Sequence, residues 1–477
     1  MKSGGNTMGI RLISHGGAGE VTGSKHLLKT DSAAVLIDCG AFQGKRKEAD
    51  RKNREWDFDV NEIDAAVLTH AHFDHSGLMP VLAKKGYRGN IFSTSATRDL
   101  SHIIMMDSAK IQARDSEYLK KQAAKEGKPF DWEPLYTEKE VIQTLDQFVS
   151  LSYERPIFIA PDMEVCFYDA GHILGSSLAV FTFKNNGTDG IRVAFSGDLG
   201  RKNKPIIRDP ALIPDPDYLI LESTYGDRLH DSTEGAMEKL ADVITRTAER
   251  GGKIIIPAFA IERTQELVFF LHLLTDSGKI PKLPIFVDSP MATNATAIFK
   301  VHPECYDEET YRAFVEHHSN PFGFNELKYI QSTAESKELN NLQGPAVIIS
   351  SSGMCEAGRI QHHLIHNISN PANTILIAGY MAEHTLGRYI KEKRPEVRVL
   401  GQWVALKAEV AEIDTLSAHA DYSEMWEYVS RMDLKRLKKI FLVHGEDKSL
   451  SAFSDFLKKK GIQEVEIVEK GREYLLS

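Results

Sequence analysis

The residues from 70 to 75 carry four side chains that can bind a metal ion. Imidazoles and carboxylates suit zinc, and they can leave one coordination position open for water. In an extended loop, the alternate side chains of His70 and His72 turn toward one ion. A turn into a following helix then presents Asp74 and His75 toward a second ion. The run therefore predicts a metal centre with room for two ions.

Three further residues of metal-binding type stand shortly after apolar runs elsewhere in the chain, namely His172, Asp198 and His444. A single histidine or aspartate at a strand end is more often a cap or a turn residue. However, strand ends gather at one edge of a sheet, where these three would complete the ligand sets begun by residues 70–75. Asp198 can bridge two ions, because a carboxylate has two oxygens. Together these residues predict a two-metal site.

Asp38 follows an apolar run over residues 33–37 in the same way. Histidines that bind a metal ion usually donate their second ring N–H to a carboxylate or a carbonyl. Asp38 is therefore our candidate for this supporting hydrogen bond. A simple turn residue in the sequence Asp-Cys-Gly is the alternative.

The elements that must position these residues are indicated by short apolar runs bounded by Gly, Asp or Pro, which are typical of buried strands. In the first part of the chain we predict such strands at residues 33–37, 65–68, 157–160, 165–168, 192–195 and 218–221. A charged helical segment at 96–148 interrupts them, with a break at 127–129. From residue 227, strands alternate with amphipathic helices, and this spacing predicts a mainly parallel sheet. A further strand is predicted at 440–443.

The composition limits the function classes that remain. The 477 residues are 42% hydrophobic and 26% charged, which excludes a mostly disordered or fibrous protein. A net charge of −9 excludes a generally basic coat for nucleic acid, although it leaves local basic clusters open. The four cysteines form no CxxC pair, which argues against a disulfide scaffold and against a cysteine zinc site. Because no apolar run resembles a membrane span or a signal peptide, we expect a cytoplasmic protein.

The motifs resemble those of the metallo-β-lactamase fold at Asp38, residues 70–75, His172 and Asp198. Three more motifs are similar to motifs A, B and C of the β-CASP nucleases: Glu222 in Leu-Glu-Ser-Thr-Tyr-Gly, His419 in Ser-Ala-His-Ala-Asp, and His444 in Leu-Val-His-Gly-Glu. The resemblance covers nearly the whole chain.

This resemblance implies an α/β fold with two domains. Residues 1–226 and 408–477 would form a discontinuous metallo-β-lactamase domain, an αββα sandwich. Residues 227–407 would form the inserted β-CASP domain, an α/β unit with a parallel sheet. The active site would lie in the cleft between them, which admits a single strand more readily than a duplex.

The resemblance also implies two Zn²⁺ ions per chain. One ion would be bound by His70, His72 and His172, and the other by Asp74, His75 and His444, with Asp198 between them. A histidine at position 444 favours RNA as the substrate, because the DNA-processing members of the family resembled here have a valine at the equivalent position. The chain is similar to short bacterial RNA-processing exonucleases and to the endonuclease of the eukaryotic cleavage and polyadenylation machinery.

The implied activity is that of a zinc-dependent ribonuclease acting on phosphodiester bonds of single-stranded RNA. Endonuclease action is expected, 5′-to-3′ exonuclease action is left open, and the products would carry a 5′-phosphate and a 3′-hydroxyl. Asp74 can hold a zinc ion and accept a proton. His419 can protonate the leaving oxygen as a general acid, and Glu222 can orient His419 and raise its pKa. The alternative for His419 is a structural role at the start of the helix that follows it.

RNA phosphate contacts are expected in the β-CASP domain. The candidates after a predicted strand at 346–349 are Ser350, Ser351, Ser352 and Gly353. Backbone N–H groups at the start of a helix bind anions, although helix capping explains this motif equally well. Its resemblance to the family's nucleotide-contacting loop favours a phosphate contact. Arg263 follows another predicted strand and is a candidate phosphate clamp, with a surface salt bridge as its rival.

Two other functions remain as alternatives, namely a small-molecule hydrolase of the same fold and a catalytically silent RNA-binding scaffold. The large insertion and the β-CASP motifs argue against an ester, thioester or lactam substrate, and the complete ligand set argues against a silent scaffold. His362 and His366 are four positions apart on a predicted helix, but they are not accompanied by the acidic or cysteine ligands that a metal site would need. His384 is left without a role. The resemblance implies a homodimer, and no membrane partner is expected.

Overall fold

The computed structural model describes residues 9–183, 190–230, 234–316, 320–379, 381–382, 384–413 and 417–476. These residues group into two compact units. The first unit lies within Met1–Lys202, Asp209–Leu229 and His419–Ser477, and the second lies within Asn203–Arg208 and His230–Ala418. The first unit is therefore discontinuous in sequence, and the second is inserted into it.

The strands of the described chain fall into three groups along the sequence. Before residue 223 they are β1 (Ile10–Gly16), β2 (Lys25–Lys29), β3 (Ala34–Ile37), β4 (Ala65–Val67), β5 (Asn90–Ser93), β6 (Phe148–Ser150), β7 (Ile157–Ala160), β8 (Met163–Asp169), β9 (Ser177–Phe183), β10 (Ile191–Phe195) and β11 (Tyr218–Glu222). The middle group is β12 (Lys253–Pro257), β13 (Ile285–Val287), β14 (Leu327–Tyr329), β15 (Ala346–Ser350), β16 (Thr374–Ile377), β17 (Glu396–Val399), β18 (Gln402–Ala405) and β19 (Glu409–Glu412). The last are β20 (Lys439–Val443), β21 (Val465–Ile467) and β22 (Glu473–Leu476).

The α-helices lie between these strands. They are α1 (Arg46–Arg54), α2 (Phe73–Ser76), α3 (Met79–Lys84), α4 (Ser95–Lys125), α5 (Glu138–Leu145), α6 (Glu234–Glu249), α7 (Arg263–Asp276), α8 (Pro290–Val301), α9 (Glu308–Tyr311), α10 (Thr333–Glu338), α11 (Ile360–Asn367), α12 (Leu386–Lys391), α13 (Tyr422–Val429) and α14 (Asp447–Lys459). The predicted helical segment at 96–148 corresponds to α4 and α5, and its predicted break falls between them. Among the described residues, no helix has the length and apolar character needed to cross a membrane.

Two mixed sheets of seven strands form the centre of the first unit. Their strand orders are β22-β1-β2-β3-β4-β5-β6 and β21-β20-β11-β10-β9-β8-β7. In the first sheet, β3 to β6 are parallel and the strands on the other side are antiparallel. In the second sheet, β20 pairs in parallel with both β11 and β21. Strands from the end of the chain thus complete both sheets.

Apolar side chains from the two sheets share one buried core. Leu12 and Val35 contribute from the first sheet, and Phe167, Phe181 and Phe441 contribute from the second. Burial of one such side chain contributes roughly 1.5–3 kcal/mol to folding. A second buried cluster joins the first sheet to α3, α4 and α5, and a third joins the second sheet to α13 and α14. Both sheets therefore bury apolar side chains on each face.

Replacing Leu476 by alanine is expected to lower the free energy of unfolding by about 2–5 kcal/mol, because its fully buried side chain fills the core between the sheets. The neighbouring Leu475 is 66% exposed on the same strand, and its replacement should change stability by less than about 0.5 kcal/mol. Urea unfolding followed by circular dichroism measures both. Equal effects of the two substitutions would contradict the placement of β22 in the first sheet.

The second unit is built on a parallel sheet, as predicted. Its strand order is β14-β13-β15-β12-β16-β19, and all neighbouring strands run parallel. Ile255, Ile348 and Ile375 of the sheet pack against Ile360 and Leu364 of α11. The carboxyl ends of β12, β13 and β15 therefore lie side by side, and the loops that follow them meet at one edge.

The second unit extends beyond the boundary predicted at residue 407. Residues of β19 pair in parallel with β16, with Val410 opposite Ile375. The compact unit accordingly ends at Ala418, not at 407, and it also includes Asn203–Arg208, where Ile207 pairs with Tyr306. The sequence could not show this division, because a single short apolar run does not reveal which sheet it joins.

Candidate metal centre and active site

Four ligand atoms of the first unit surround one point. The Nε2 atoms of His70 and His172 each lie 3.1 Å from Nδ1 of His72. Oδ2 of Asp198 lies 3.3 Å from His70 Nε2 and 3.5 Å from His172 Nε2. Ligand atoms around a tetrahedral zinc ion are separated by roughly 3.3 Å, given bond lengths of about 2.0–2.1 Å. The four atoms therefore fit a tetrahedral metal site.

A second group of ligand atoms adjoins the first. Nε2 of His75 lies 3.2 Å from Nε2 of His444, which in turn lies 3.6 Å from Oδ2 of Asp74. The other oxygen of Asp198, Oδ1, lies 3.3 Å from Nε2 of His75. Asp198 thus directs one oxygen to each group, which is the arrangement of a bridging carboxylate.

The environment of Asp198 fits a bound cation. Its side chain is 2% exposed, and Oδ1 accepts no hydrogen bond from the residues that the structure describes. A buried carboxylate oxygen without a donor is rare, because removing it from water is unfavourable. A metal ion between the ligand groups would supply the missing positive charge. The mixture of imidazole nitrogens and carboxylate oxygens suits zinc.

The candidate ligands are positioned by strand ends and by one short helix. His70 and His72 lie in the loop between β4 and α2, whereas Asp74 and His75 lie within α2 itself. The other three ligands follow β8, β10 and β20 of the second sheet, and they are His172, Asp198 and His444. His444 has a φ of 51°, a left-handed conformation that turns the chain sharply after β20.

Asp38 supports the loop that carries these ligands. Its Oδ2 accepts hydrogen bonds from Nδ1 of His75 at 2.7 Å and from the hydroxyl of Thr69 at 2.9 Å. Its Oδ1 accepts one from the backbone N–H of Thr69 at 2.8 Å. Since Nδ1 of His75 donates to Asp38, Nε2 of the neutral ring is left to bind a metal ion.

Replacing Asp38 by asparagine is expected to weaken metal binding about 10- to 100-fold without unfolding the chain. The amide keeps the shape of the side chain but loses the charge that orients His75. Competition with a chromogenic chelator measures the affinity, and circular dichroism checks the fold. Asp31→Asn is the matched control, because Asp31 is 71% exposed. Unchanged metal affinity in the Asp38 variant would contradict its supporting role.

Burial keeps most of these imidazoles in the neutral form that binds metal ions. It lowers the pKa of His72 to about 3 and the pKa of His172 well below its usual range. At His75 burial also opposes the charge, but the carboxylates of Asp198 and Asp38 outweigh it and raise the pKa. Metal binding at His75 therefore releases a proton.

Glu222 and His419 form a pair beside the ligands. Nδ1 of His419 lies 3.0 Å and 3.1 Å from the two carboxylate oxygens of Glu222, and its ring centre lies 4.6 Å from that of His172. Glu222 is fully buried and also accepts a hydrogen bond from the Leu199 N–H. Although burial opposes the charge, Glu222 and Asp198 raise the pKa of His419 to about 9. The contact with Glu222 therefore favours the protonated form of His419, which can donate a proton from Nε2.

Backbone contacts hold His419 in place. It forms a β-bridge with Gly200, three residues before α13 begins, and Asp421 caps that helix by accepting a hydrogen bond from the N–H of Ser423. Gly200 itself lies so close to the loop that carries His172 that a Cβ at Gly200 would be 1.7 Å from the carbonyl oxygen of Gly171. Only glycine fits there. These contacts tie the segment around His419 to the ligand loops.

Three family models match successive parts of the chain. The metallo-β-lactamase superfamily matches residues 19–88. The β-CASP domain matches residues 264–390, and the Zn-dependent metallo-hydrolase RNA specificity domain matches residues 403–468. The first and third matches include several of the candidate ligands described above.

Several known proteins align with nearly all of the chain, and a ribonuclease is among them. Ribonuclease TTHA0252 of Thermus thermophilus is 35% identical over 462 residues, which cover 97% of this chain and 99% of that protein. This chain belongs to the β-CASP family of metallo-β-lactamase-fold ribonucleases. Transcription termination factor FttA of Methanosarcina mazei is 34% identical over 463 residues, covering 94% of this chain and 69% of that protein.

A solved structure supports the fold of this β-CASP protein. The crystal structure of a protein of unknown function from Enterococcus faecalis V583 covers 98% of the chain and all of its own, with a TM-score of 0.53. At 12% sequence identity this likeness concerns the fold alone. The family membership confirms the resemblance on the sequence motifs and identifies a metal-dependent hydrolase.

The predicted phosphate-binding loop follows β15 in the second unit of this β-CASP protein. Ser350 is buried and donates its hydroxyl to the carbonyl oxygen of Asp288 at 2.9 Å. Ser351 is partly exposed, and its hydroxyl lies 2.7 Å from that of Ser289. Gly353 packs so closely on Phe259 that a Cβ would lie 3.0 Å from the ring. Ser350 therefore supports the loop, whereas the more exposed serines remain the proposed phosphate contacts.

Arg263 begins α7 and is only 7% exposed. Its Nη1 donates to Oε2 of Glu266 at 2.5 Å, so the ion pair that was its alternative role is present but buried. Its Nε is also buried and donates no hydrogen bond to any residue in the described part of the chain. A phosphate clamp at Arg263 stays a prediction.

Sequence reasoning missed two supporting contacts. The hydroxyl of Thr224 lies 3.1 Å from Nδ1 of His444, and the hydroxyl of Ser196 accepts the backbone N–H of Glu222 at 3.0 Å. Both residues lie within or beside the predicted motifs, but Thr224 and His444 are 220 residues apart, so no local signal in the sequence indicates their contact. His384 is exposed in a turn with a φ of 66°, and no contact within the described part of the chain gives it a role.

Proposed function

We propose that this chain is a zinc-dependent ribonuclease that hydrolyses phosphodiester bonds of single-stranded RNA. The observation that carries the proposal is the pair of ligand groups that share Asp198, with Glu222 and His419 beside them. The names of the similar ribonuclease and of the matched RNA specificity domain support RNA as the substrate and zinc as the metal.

The metal ligands would divide between two Zn²⁺ ions. One ion would be held by His70, His72 and His172, the other by Asp74, His75 and His444, and both by Asp198. A zinc pair supplies Lewis-acid activation of water and neutralises the charge on a phosphodiester. The Asp74 side chain is 23% exposed, whereas that of Asp198 is 2% exposed. Asp74 is therefore the carboxylate that can meet the attacking water and accept its proton.

His419 would protonate the leaving group. Its Nδ1 is held by Glu222, and its side chain is 20% exposed, so Nε2–H can reach a substrate atom. When water attacks phosphorus, the bond to the 3′ oxygen breaks and this oxygen takes the proton from His419. The products then carry a 5′-phosphate and a 3′-hydroxyl.

The first test is cleavage of a 5′-labelled single-stranded RNA by the zinc-loaded protein, beside an Asp74→Ala control. Internal fragments that disappear in the control would establish endonuclease action. Release of labelled mononucleotide alone would establish 5′-to-3′ exonuclease action. Intact RNA with both proteins, when bound zinc is confirmed by elemental analysis, would overturn the proposal.

Replacing Glu222 by glutamine is expected to lower the pH at which cleavage declines on the alkaline side. The carboxylate raises the pKa of His419, so its loss makes the imidazole give up its proton at lower pH. A pH profile of single-turnover cleavage measures the shift. Glu427→Gln is the control, because Glu427 is 57% exposed and should leave the profile unchanged. An unshifted alkaline limb would contradict the pairing.

Finer features complete the proposal. The two sheets and their flanking helices are consistent with an αββα sandwich, and the second unit is consistent with the β-CASP insertion. Phosphate contacts by Ser351, Ser352 and Gly353, a homodimer and a cytoplasmic location remain predictions from the sequence.

A further inference from the structure

A pocket of about 490 Å³ opens on the second unit between α10, the turn Leu339–Asn341 and α11. Small-molecule sites typically have volumes of about 300–1,000 Å³. The pocket contains none of the proposed metal ligands and none of the residues of the serine loop. It is therefore a separate candidate site.

The side chains that line the pocket favour an anion. Lys337, His362 and His366 line it, and no aspartate, glutamate or cysteine does. Within the residues that the structure describes, these three side chains take part in no ion pair. The absence of acidic or cysteine ligands argues against a metal ion at the two histidines. A negatively charged ligand would find three basic groups there without a competing carboxylate on the pocket wall.

A buried carboxylate behind the pocket fixes two more of its lining residues. Ser336 donates its hydroxyl to Oδ2 of Asp288 at 2.6 Å, and Arg359 donates from Nη1 to Oδ1 of Asp288 at 2.6 Å. Asp288 is fully buried, and its carbonyl oxygen accepts the hydroxyl of Ser350. The pocket wall is thus held in place before a ligand arrives, and Asp288 connects it to the serine loop.

An amide on the pocket wall offers a contact for a base. Oδ1 of Asn340 is buried, and it accepts no hydrogen bond from the described residues. An unpaired acceptor of this kind is unfavourable unless a ligand supplies a donor. The amino group of a nucleobase is such a donor, whereas inorganic phosphate at neutral pH would leave most of the pocket unfilled.

We propose that this pocket binds a nucleotide, with its phosphate against Lys337, His362 and His366 and its base toward Asn340. The proposal goes beyond the ribonuclease activity, because it assigns a second ligand site to the β-CASP unit. Two sources present the same chemistry, namely a free nucleoside monophosphate and a nucleotide within an RNA chain. Binding at this pocket does not depend on RNA cleavage.

Photolabelling with azido-adenosine monophosphate locates the ligand directly. We expect the label in peptides from residues 333–341 or 360–367 of the zinc-loaded full-length protein. Lys337→Glu should reduce this labelling about tenfold or more, as expected when a charge-assisted contact is reversed. Lys282→Glu is the matched control, because Lys282 is exposed in the same unit outside the pocket. Circular dichroism melting verifies that both variants fold.

Competition experiments distinguish a free nucleoside monophosphate from a nucleotide within an RNA chain as the ligand of this pocket. The competitors are added to the Asp74→Ala protein, so that RNA stays intact. Displacement of the label by adenosine monophosphate but not by a short single-stranded RNA would support a free nucleotide. Displacement by the RNA at lower concentration would support a nucleotide of the chain. Label absent from both peptides, or unchanged in Lys337→Glu, would overturn the proposal even if RNA cleavage is confirmed.

Discussion

Replacing Asp198 by asparagine is expected to reduce RNA cleavage by roughly 10³-fold or more, as when a central catalytic group is removed. Bound zinc should fall from two ions per chain to one or fewer. Asp198 directs one oxygen to each ligand group, at 3.3 Å from His70 and from His75. An amide offers one neutral oxygen in place of two charged ones, so it cannot serve both ions.

Elemental analysis of zinc and single-turnover cleavage measure the two effects of this substitution. The matched control is Asp217→Asn, because Asp217 is also a largely buried carboxylate but pairs with Arg436 away from the ligands. The control should keep its zinc and its activity. Full zinc content together with full activity in Asp198→Asn would exclude the bridging role.

Replacing His419 by alanine is expected to slow cleavage about 10²- to 10⁴-fold, the usual contribution of a general acid or base. Zinc content should not change, because His419 is not among the proposed ligands of either ion. The rate measured under single-turnover conditions isolates the chemical step. A loss of zinc in this variant would assign His419 to metal binding instead.

A substrate with sulfur in place of the bridging 3′ oxygen tests specifically whether His419 donates a proton to the leaving group. A thiol has a pKa of about 8.5, so a thiolate leaves without a proton, whereas an alkoxide does not. His419→Ala should therefore cleave the sulfur substrate nearly as fast as the unmodified protein does. Asp74→Ala should cleave both substrates slowly. Equal slowing of both substrates by His419→Ala would contradict proton donation.

The clustering of the candidate metal ligands could be predicted because most of them are close together in sequence or share one position relative to a strand. Residues 70–75 place four residues of metal-binding type in one loop and one helical turn, and this spacing by itself indicates that their side chains converge. The remaining ligands share a position just after an apolar strand. Parallel pairing of β11 with β20 and with β10 then brings their carboxyl ends together.

The pairing of Glu222 with His419 could not be derived from spacing, because 197 residues separate them. Only the resemblance to a known family indicated it. The burial of Arg263 and of Ser350 could not be predicted from the sequence either, since the residue types alone do not indicate which of these side chains face solvent. The end of the second compact unit, at Ala418, differs from the boundary predicted at residue 407 for a similar reason. Which sheet β19 joins is a matter of tertiary packing.

The two residues of the proposed catalytic pair come from distant segments of the chain, and this has a consequence for synthesis on the ribosome. Glu222 emerges early, but His419 and then β20, which pairs with β11, emerge only after the insertion. At about 5–20 residues per second, that interval lasts roughly 10 to 40 s. Under the proposed mechanism, the active site of a nascent chain therefore stays incomplete until these later segments have been synthesised.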